Sequence, residues 1–533
     1  ETFSNWTLLY ALGGSESVMA LYEKALEGHL KQYKDFSTKL TDMAAYGAYY
    51  KEFFTQNDWL HVGESMRGFQ FYGLSKPENT IYQKRTRRFA GLYMNEDPDA
   101  PNYDPEHKII RSVFNGSKGP MLRESTVYDW VGDPVVGRFH ILHKHPGIDS
   151  GNFERMLDFE KSYPAMLKDV DGMPYEETLH VAGDNPFNLI ATNLALNAYM
   201  LSHEEKYKKW ILEYVDAWKE RTIKNGGNIP TNIGLDGTIG GEYGGKWYKG
   251  VFGWSTKPYN IFQVGMWRGF SNAYLVTGDE RYLDVLRKQL DNLYAQKKIV
   301  DGKVLLPRNY GDEGWNNWSG NLFIPEQIKL YLWSMDRNDL KRVPIDGWLA
   351  FLDGKNPEYP EKALRDDFGY IRRQMEKVRN DPTTADTRLA DWAMFMNPAT
   401  TNNLYSLMLG GYVSGKDWGL HCRVRYFDPD RHRAGLPQDV ASLVTAMDKK
   451  MTKVTIVNIN QVEPRNVIVQ TGGYGEHQCE YVEVNGVKTE VNNRFFTVHL
   501  APGAGAELII YARRYANQPT FALPWQGDNV PLY

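Results

Sequence analysis

The sequence predicts a mainly α-helical protein: a closed ring of helical hairpins over residues 1–411, followed by an antiparallel β-domain over residues 412–533. Three observations predict this fold class. A helical hairpin recurs along the first part of the chain, unusually polar loops precede the inner helices, and the hydrophobic period becomes strand-like from about Gly415. Repeated hairpins cannot bury both faces alone, so they must stack into a continuous core.

The stretch from Asn185 to Pro230 is the clearest hairpin. Its second half spaces Tyr207, Trp210 and further apolar residues at gaps of three and one, with charged residues between them, which is typical of an amphipathic helix. We expect Ser202 and Glu205 to form a capping box that begins this helix, and Gly226-Gly227 to end it.

The same pattern recurs along the chain. Tyr274, Thr277 and Glu280 match Tyr199, Ser202 and Glu205, and fainter copies contain Tyr72 and Tyr331. We therefore predict further hairpins of an inner and an outer helix, each begun by a similar capping box.

The final part of the chain alternates apolar and polar residues or is rich in β-branched residues. Asn485-Gly486 is predicted to be a two-residue hairpin turn. Predicted strands lie at Cys422–Phe427, Lys453–Asn458, Asn466–Gln470, Tyr481–Val484, Phe495–Leu500 and Glu507–Tyr511.

Composition limits the function classes. A net charge of −4 gives no electrostatic case for nucleic acid, and no apolar run reaches the length of a membrane span. Cys422 and Cys479 are the only cysteines and fit either one disulfide or two buried thiols. Because the chain starts at Glu1 without a methionine, a periplasmic or secreted location is expected. The oligomeric state is not predicted.

Two stretches raise the question of a metal. His140, His143 and His145 cluster, but no acidic or cysteine partner follows at ligand spacing, and Asp97, Asp99 and Asp104 do not match a calcium loop. No metal and no cofactor are therefore expected.

Long loops beside the inner helices, among them the long loop Gly226–Asn260 and the stretch Leu306–Asn321, carry the candidate site. Aromatic rings suit the faces of sugars, and arginine and amide groups suit a carboxylate. Each residue also has an ordinary structural reading as a helix cap, ion pair or core residue. The candidates in these loops are Trp59, His61, Glu64, Arg111, Asn115, Asn188, Asn232, Tyr243, Trp254, Tyr259, Arg308, Tyr310, Trp315 and Asn316.

A helical toroid with a C-terminal β-domain and such loops resembles the (α/α) toroid polysaccharide lyases. The stretches NIGLDGTIGG (232–241) and YGDEGW (310–315), with the hairpin between them, most resemble polysaccharide lyase family 27, the rhamnosyl-α-1,4-glucuronate lyases. The resemblance implies an (α/α)6 barrel with a deep central pocket, β-elimination at a glucuronic acid that caps arabinogalactan, loss of terminal L-rhamnose from its O4, and a tyrosine as base.

The implied chemistry can be assigned to candidate residues. Tyr310 is the first choice for the base because Arg308 lies two residues away, and Tyr243 is the second. His61 is expected to be another base or to hold the tyrosine. Arg111, Asn115, Asn188 and Asn232 are candidates for binding the carboxylate, and Trp59, Trp254, Tyr259, Trp315 and Asn316 for binding the sugar.

The β-domain is also expected to contribute to the site. It would pack beside the mouth of the ring and place Tyr474 or His477 of the TGGYGEHQ turn near the pocket, and an exposed turn is the alternative.

Two other functions remain open at this point. A glycoside hydrolase on the same toroid needs two facing carboxylic acids, for which Glu64, Asp184, Asp236, Asp312 and Glu313 are available. A non-catalytic glycan-binding protein would use the aromatic cavity alone.

Overall fold

The computed structural model contains a helical part, followed along the chain by a β-domain. The described residues are 4–39, 52–53, 55–57, 67–122, 124–125, 179–250, 253–255, 260–384, 387, 396–412 and 419–526.

Helices dominate the described residues as far as Leu409. Residues 67–72 are also helical. The helices are α1 (Ser4–Ala11), α2 (Glu16–Lys39), α3 (Thr80–Gly91), α4 (Thr192–Ser202), α5 (Glu205–Lys224), α6 (Trp267–Thr277), α7 (Arg281–Ala295), α8 (Ile324–Ser334), α9 (Gly347–Leu352), α10 (Tyr359–Asn380) and α11 (Asn402–Leu409).

The predicted central hairpin is confirmed as α4 and α5. Helix α4 is buried along its whole length and packs between α3 and α6, while α5 packs against α4, α6 and α7. We call the largely buried helices α4, α6 and α8 the inner helices. Two short helices precede two of them: the 3₁₀ helix Pro186–Ala191 before α4 and the π-helix Asn260–Met266 before α6. They cross closely at Gly265, where a Cβ atom would lie 2.2 Å from the carbonyl oxygen of Pro186.

The predicted capping boxes are wrong, because Ser202 and Thr277 end α4 and α6 instead of beginning α5 and α7. Neither α5 nor α7 has a side-chain cap. The hydroxyl of Ser202 accepts a hydrogen bond from the amide of Glu204 (3.2 Å), and that of Thr277 from the amide of Asp279 (3.1 Å).

The repeated sequence pattern does correspond to a repeated structure, but it marks the C-terminal ends of helices. The residues after the inner helices, His203, Gly278 and Met335, are left-handed with φ of 53°, 69° and 58°. Their amides donate to the carbonyl oxygens of Tyr199, Tyr274 and Tyr331. Ser334 completes the set, since its hydroxyl accepts from the amide of Asp336 at 2.9 Å.

The stretch Leu306–Asn321, predicted to be a loop, is largely a β-hairpin. In the described part of the chain, β7 (Lys298–Val300), β8 (Lys303–Gly311) and β9 (Gly314–Ser319) form a three-stranded antiparallel sheet in which Tyr310 pairs with Trp315. Short pairs of strands at β1 (Thr55–Asn57), β2 (Tyr103–Asp104), β3 (Ile109–Ile110), β4 (Asn115–Gly116), β5 (Glu124–Ser125) and β6 (Leu179–His180) shape the loops before α4.

The β-domain has two antiparallel sheets among the described residues. One has the strand order β11-β10-β14-β17 and the other β12-β13-β18-β15-β16. The strands are β10 (Val424–Asp428), β11 (Arg433–Ala434), β12 (Val440–Met447), β13 (Met451–Asn458), β14 (Arg465–Thr471), β15 (Gln478–Val484), β16 (Val487–Asn493), β17 (Phe495–Leu500) and β18 (Gly505–Arg513).

Each predicted strand overlaps an observed one, and Asn485-Gly486 forms the predicted turn, with φ of 53° and 78°. The sequence interpretation missed β11, β12 and β16. Cys422 and Cys479 are buried free thiols.

The β-domain lies against the C-terminal ends of the inner helices. Arg514 donates hydrogen bonds to the carbonyl oxygens of Leu332 (3.2 Å), Trp333 and Ser334 (3.0 Å) at the end of α8. The segment that follows β18 reaches α4, where the amide of Phe521 donates to the carbonyl oxygen of Met200 at 2.9 Å. Within the described residues, none of the helices is both long enough and apolar enough to cross a bilayer.

Candidate functional site

A buried carboxylate fixes the loops at the start of α4. The side chain of Asp184 accepts hydrogen bonds from the amides of Ile110 (3.1 Å) and Asn185 (2.8 Å), from the Asn188 amide group (2.8 Å) and from the Tyr214 hydroxyl (3.0 Å). Burial raises the pKa of Asp184 to about 6, and the hydrogen bond from Asn188 opposes that shift. With these donors around it, Asp184 ties three segments of the chain together.

Asn115 and Asn188 belong to the same internal network. The Asn115 amide group donates to the carbonyl oxygen of Ser112 (2.9 Å) and to Asn188 Oδ1 (3.0 Å), and its oxygen accepts from the Tyr93 hydroxyl (2.6 Å). Both asparagines are buried. Their amide groups satisfy the protein's own polar atoms, so the structure gives no support to their predicted role in binding a carboxylate.

Arg111 and Asn232 lie beside this network. The backbone of Arg111 bonds to Asn102 and Gly183, and its side chain is partly exposed. Asn232 is buried and accepts a hydrogen bond from the amide of Glu242 at 3.3 Å. Asn232 therefore positions Glu242, whereas the side chain of Arg111 is partly exposed and its role stays a prediction.

A histidine and a glutamate that the sequence interpretation did not select form a pair here. His180 Nε2 lies 3.8 Å from Glu242 Oε2, and the His180 side chain is 38% exposed. The other oxygen of Glu242 accepts a hydrogen bond from the amide of Leu235 at 3.0 Å, which fixes the carboxylate. The sequence could have pointed to His180, because this residue lies shortly before Asp184 and the start of an inner helix.

Tyr243 does not have the properties required of a base. Its hydroxyl donates to the carbonyl oxygen of His180 at 2.8 Å. Burial, followed by the charge of Glu242, raises the pKa of Tyr243 to about 12, whereas a tyrosine base needs a lowered pKa. This candidate is corrected: Tyr243 holds the backbone at His180.

Aromatic rings from the long loop and the β-hairpin form a cluster, which we call the aromatic platform. The ring of Tyr310 lies 4.6 Å from Trp247, 5.0 Å from Tyr248 and 5.0 Å from Trp315. Trp247, Tyr310 and Trp315 are partly exposed. Rings of this kind at a surface give the flat apolar faces on which sugars stack.

Trp254 packs against this platform from the interior of the protein. It is buried, its ring lies 5.2 Å from Trp315, and its Nε1 donates to the carbonyl oxygen of Ile229 at 2.8 Å. Its own carbonyl oxygen accepts from the amide of Tyr310 at 3.2 Å. Trp254 is therefore buried within the protein, whereas Trp315 is partly exposed.

Charged groups border the platform. Lys246 donates to both carboxylate oxygens of Asp312 at 2.7 and 2.9 Å, and the Tyr248 hydroxyl also donates to Asp312. The lysine and then the tyrosine hold the pKa of Asp312 below its usual value. Arg308 lies two residues before Tyr310 on β8, so both side chains are on the same face of the strand. Asn316 is exposed at the edge of this hairpin.

The inner helices also carry buried polar side chains. Asn272 on α6 donates to Asn193 Oδ1 on α4 at 2.7 Å, and Gln263 donates to Glu326 Oε1 on α8 at 3.0 Å. Asn193 and Glu326 are buried. The inner helices are thus joined by polar contacts as well as by apolar packing.

The prediction for Tyr474 and His477 is wrong. His477 is buried with its ring 4.8 Å from Tyr515, whose ring lies 4.5 Å from Tyr274 near the C-terminal end of α6. Tyr474 is buried and its hydroxyl accepts from the amide of Leu420 at 3.0 Å. Both residues belong to the interface at the C-terminal helix ends, whereas the platform adjoins the loops before the inner helices.

Some predicted residues cannot be placed. Trp59, His61, Glu64, Tyr259 and the cluster around His140 lie outside the described residues. In the part of the chain that the structure describes, no group of three or more His, Cys, Asp or Glu side chains could hold a metal ion.

Comparison with known proteins gives a family but no function. No curated protein matches the chain. The family model described as "Domain of unknown function (DUF8034)" matches residues 1–321 and 345–405, which is more than two thirds of the chain and includes the aromatic platform. The matched residues cover nearly all of the helical part and stop before β10. The chain therefore belongs to the DUF8034 family.

Proposed function

We propose that this protein is a polysaccharide lyase that binds an acidic glycan at the aromatic platform and cleaves it by β-elimination at O4 of a glucuronic acid. The observation that carries the proposal is the position of Tyr310, a phenol packed between Trp247 and Trp315 in a partly exposed cluster of rings. The proposal includes closure of the helical hairpins into an (α/α)6 toroid.

The charges around the platform favour an acidic sugar. Arg308 lies on β8 with Tyr310, whereas the charge of Lys246 is balanced by Asp312. Elimination requires the C5 proton to become more acidic, and a cation beside the C6 carboxylate has that effect because it stabilises the negative charge that develops. Arg308 and Arg111 are our candidates for this contact.

The reaction needs one group that moves a proton. A phenolate, the form of tyrosine that nearby cations stabilise, takes the proton from C5. The electron pair of that C–H bond forms the C4–C5 double bond, the C4–O4 bond breaks, and the phenol formed in the first step donates its proton to O4 as it leaves. No oxidant and no cofactor are required. We assign the proton transfer to Tyr310.

His180 is the acid–base group that remains if Tyr310 is excluded. Its imidazole is partly exposed, and its Nε2 lies 3.8 Å from Glu242 Oε2. Separate replacement of Tyr310 and of His180 would show which of the two side chains transfers the proton.

The finer part of the proposal concerns the substrate. Likeness to the rhamnosyl-glucuronate lyases suggests terminal L-rhamnose on the glucuronate caps of arabinogalactan, and a periplasmic or secreted protein would meet such a glycan. Gum arabic oligosaccharides that carry this cap, compared with the same oligosaccharides after removal of rhamnose, would test the leaving group.

One assay separates the candidate functions. Incubation with the capped oligosaccharide should release rhamnose and produce the ultraviolet absorbance of an unsaturated uronate. Release of rhamnose without that absorbance would indicate a hydrolase, and binding without any product would indicate a glycan-binding protein. Trp315→Ala should weaken binding in all three cases, because the ring is lost whatever the chemistry.

A further inference from the structure

Helix α10 (Tyr359–Asn380) is attached to the rest of the protein along one narrow face. Asn403 donates to the carbonyl oxygen of Ala363 (3.3 Å) and to Asp367 (2.9 Å). Further along, the Tyr370 hydroxyl donates to the carbonyl oxygen of Asn397 at 2.9 Å. Of its residues, Ala363 and Gln374 are buried. Most of its other side chains are exposed.

An apolar row lies next to that attached face. Its members follow each other at alternating gaps of four and three residues, which is the spacing of a coiled-coil seam. We call this row the α10 stripe: Leu364, Phe368, Ile371, Met375 and Val378. Phe368 is 59% exposed, Met375 41% and Val378 52%. Leu364 extends the stripe into an apolar cavity of about 630 Å³ between α10, α11 and the β-domain.

A row of cations borders the stripe on its outer side. Arg365, Arg372 and Arg379 are exposed and repeat at intervals of seven residues, so one arginine accompanies each heptad, and Arg365 is also paired with Glu361 on the same helix at 2.6 Å. A helix that packs on the stripe would bring its own flanking positions against these arginines. Acidic residues at those positions would match them, and basic residues would be repelled.

The arginines argue against a second copy of this chain as the occupant of the stripe, and the width of the stripe argues against a lipid surface. In a second copy docked antiparallel on the stripe, like flanking positions face each other, which sets arginine against arginine. A helix lying in a lipid surface inserts a wide apolar face, whereas this stripe is a single row bounded on its other side by the protein itself.

From these observations we propose that the α10 stripe is a docking surface for an amphipathic helix that carries acidic residues beside its apolar seam. This surface lies on α10 and does not depend on the function proposed for the aromatic platform.

The test measures binding of a synthetic helical peptide to the full chain by fluorescence anisotropy. The probe has about four heptads with leucine at the seam positions and glutamate at both flanking positions, and the matched probe has lysine in place of glutamate. The acidic probe should bind and the basic probe should not. Arg372→Glu and Phe368→Ser should each weaken binding of the acidic probe by roughly tenfold or more.

The matched control is Val462→Ser, which changes a side chain that is 77% exposed in the β-domain. It should bind the acidic probe like the wild type. All variants should unfold at nearly the same temperature because the changed side chains are exposed. Equal binding of both probes, or binding unchanged in Phe368→Ser, would overturn the proposal. So would a concentration-dependent dimer, or sedimentation with phosphatidylglycerol vesicles, that Phe368→Ser abolishes.

Discussion

The tyrosines near the candidate site have different roles, and their hydrogen bonds distinguish these roles. Tyr214, Tyr243 and Tyr310 are all tyrosines near the loops before inner helices. The first donates to Asp184 and the second to the carbonyl oxygen of His180, so each has a fixed internal partner. Tyr310 instead presents its ring within a partly exposed aromatic cluster. Tyr310 is therefore the tyrosine whose hydroxyl we expect to serve a ligand.

Replacing Tyr310 by phenylalanine tests this assignment. The substitution keeps the ring and its contacts with Trp247 and Trp315, so the fold and sugar binding should change little. If the hydroxyl moves the proton, turnover should fall by roughly a hundredfold or more while KM changes little. Steady-state measurement of unsaturated uronate gives both parameters.

The control for this experiment is Tyr511→Phe, which removes a hydroxyl from β18 in the β-domain. It should leave turnover unchanged. Near-normal turnover of Tyr310→Phe would exclude the assignment and direct attention to His180→Gln.

The composition of the site could be read from the sequence, but the division of roles could not. Aromatic residues in glycine-rich loops correctly indicated a cluster of rings, and Tyr310 and Trp315 lie in it. Asn115 and Asn188 have the chemistry of ligand-binding residues, yet they satisfy buried backbone groups that only the folded chain brings together. His180 was missed because nothing near it in sequence shows that Glu242 lies beside it.

At the scale of elements, the recurring feature is how inner helices end. After α4, α6 and α8 the chain turns through a left-handed residue, and a serine or threonine hydroxyl accepts the amide two positions further on. Glycine occupies the turn position after α6. Because Gly278 has no Cβ atom, it adopts a φ of 69° without strain and leaves room for the side chain of Tyr515.

Gly278→Ala should therefore be more costly than an alanine at another left-handed glycine. A Cβ atom at Gly278 would lie 2.8 Å from Cβ of Tyr515, whereas one at Gly302, with φ of 73°, meets nothing within 4 Å. We expect Gly302→Ala to cost about 1 kcal/mol of unfolding free energy and Gly278→Ala at least about 1 kcal/mol more. Urea unfolding measures both values, and equal costs would show that the contact with Tyr515 relaxes freely.

Arg514 should be important for the stability of the end of α8. Its guanidinium donates to three carbonyl oxygens at the helix end. That of Trp333 also accepts from the Tyr274 hydroxyl at 2.8 Å, so removal of Arg514 leaves those of Leu332 and Ser334 unsatisfied. Arg514→Ala should lower the unfolding free energy by about 2–3 kcal/mol. The neighbouring Arg513 is exposed, and Arg513→Ala should change it by no more than about 0.5 kcal/mol. Similar losses in the two variants would contradict the capping role.

The elements themselves were predicted unevenly, for a physical reason. Helix periodicity located α4 and α5, and alternation located most strands of the β-domain. The hairpin of β8 and β9 was missed because Pro307, Gly311 and Gly314 interrupt its pattern, although pairing with β7 and packing against the long loop stabilise it as a sheet. The capping boxes failed because a hydroxyl can accept an amide at either side of a short turn, and the sequence is the same in both cases.

At the scale of the whole molecule, the β-domain holds buried ionisable groups near its contact with the helices. Glu476 is buried, and its carboxylate accepts from the amides of Gly473 (3.3 Å) and Tyr474 (2.8 Å). Burial raises the pKa of Glu476 to about 7, opposed by these amides and by Arg514. His477 beside it has a lowered pKa because of burial and then Arg514.

Glu476 should make stability depend on pH. Its folded pKa lies above the unfolded value of 4.5, so its favourable contribution is complete below that value and is lost as the pH rises through about 7. His477 acts in the opposite direction, since its lowered pKa costs stability as the pH falls below 6.5, the ordinary value of a histidine. The comparison of wild type with Glu476→Gln separates the two groups.

We expect the unfolding free energy of the wild type, minus that of Glu476→Gln, to be larger at pH 5.5 than at pH 8.5, by on the order of 1–3 kcal/mol. Urea unfolding at both pH values provides the measurement. A difference that is the same at the two values would show that the carboxyl group does not titrate in this range.

The segment after β18 has a consequence for how the protein is made. The Tyr199 hydroxyl donates to Gln518 at 2.9 Å, across a separation of 319 residues, and Phe521 donates to the carbonyl oxygen of Met200. These partners complete the end of an inner helix that leaves the ribosome long before they do. Domains normally begin to fold during synthesis, in order from the N-terminus. Here the end of α4 must wait, incompletely covered, until residue 521 has emerged, so translation time becomes part of the folding time.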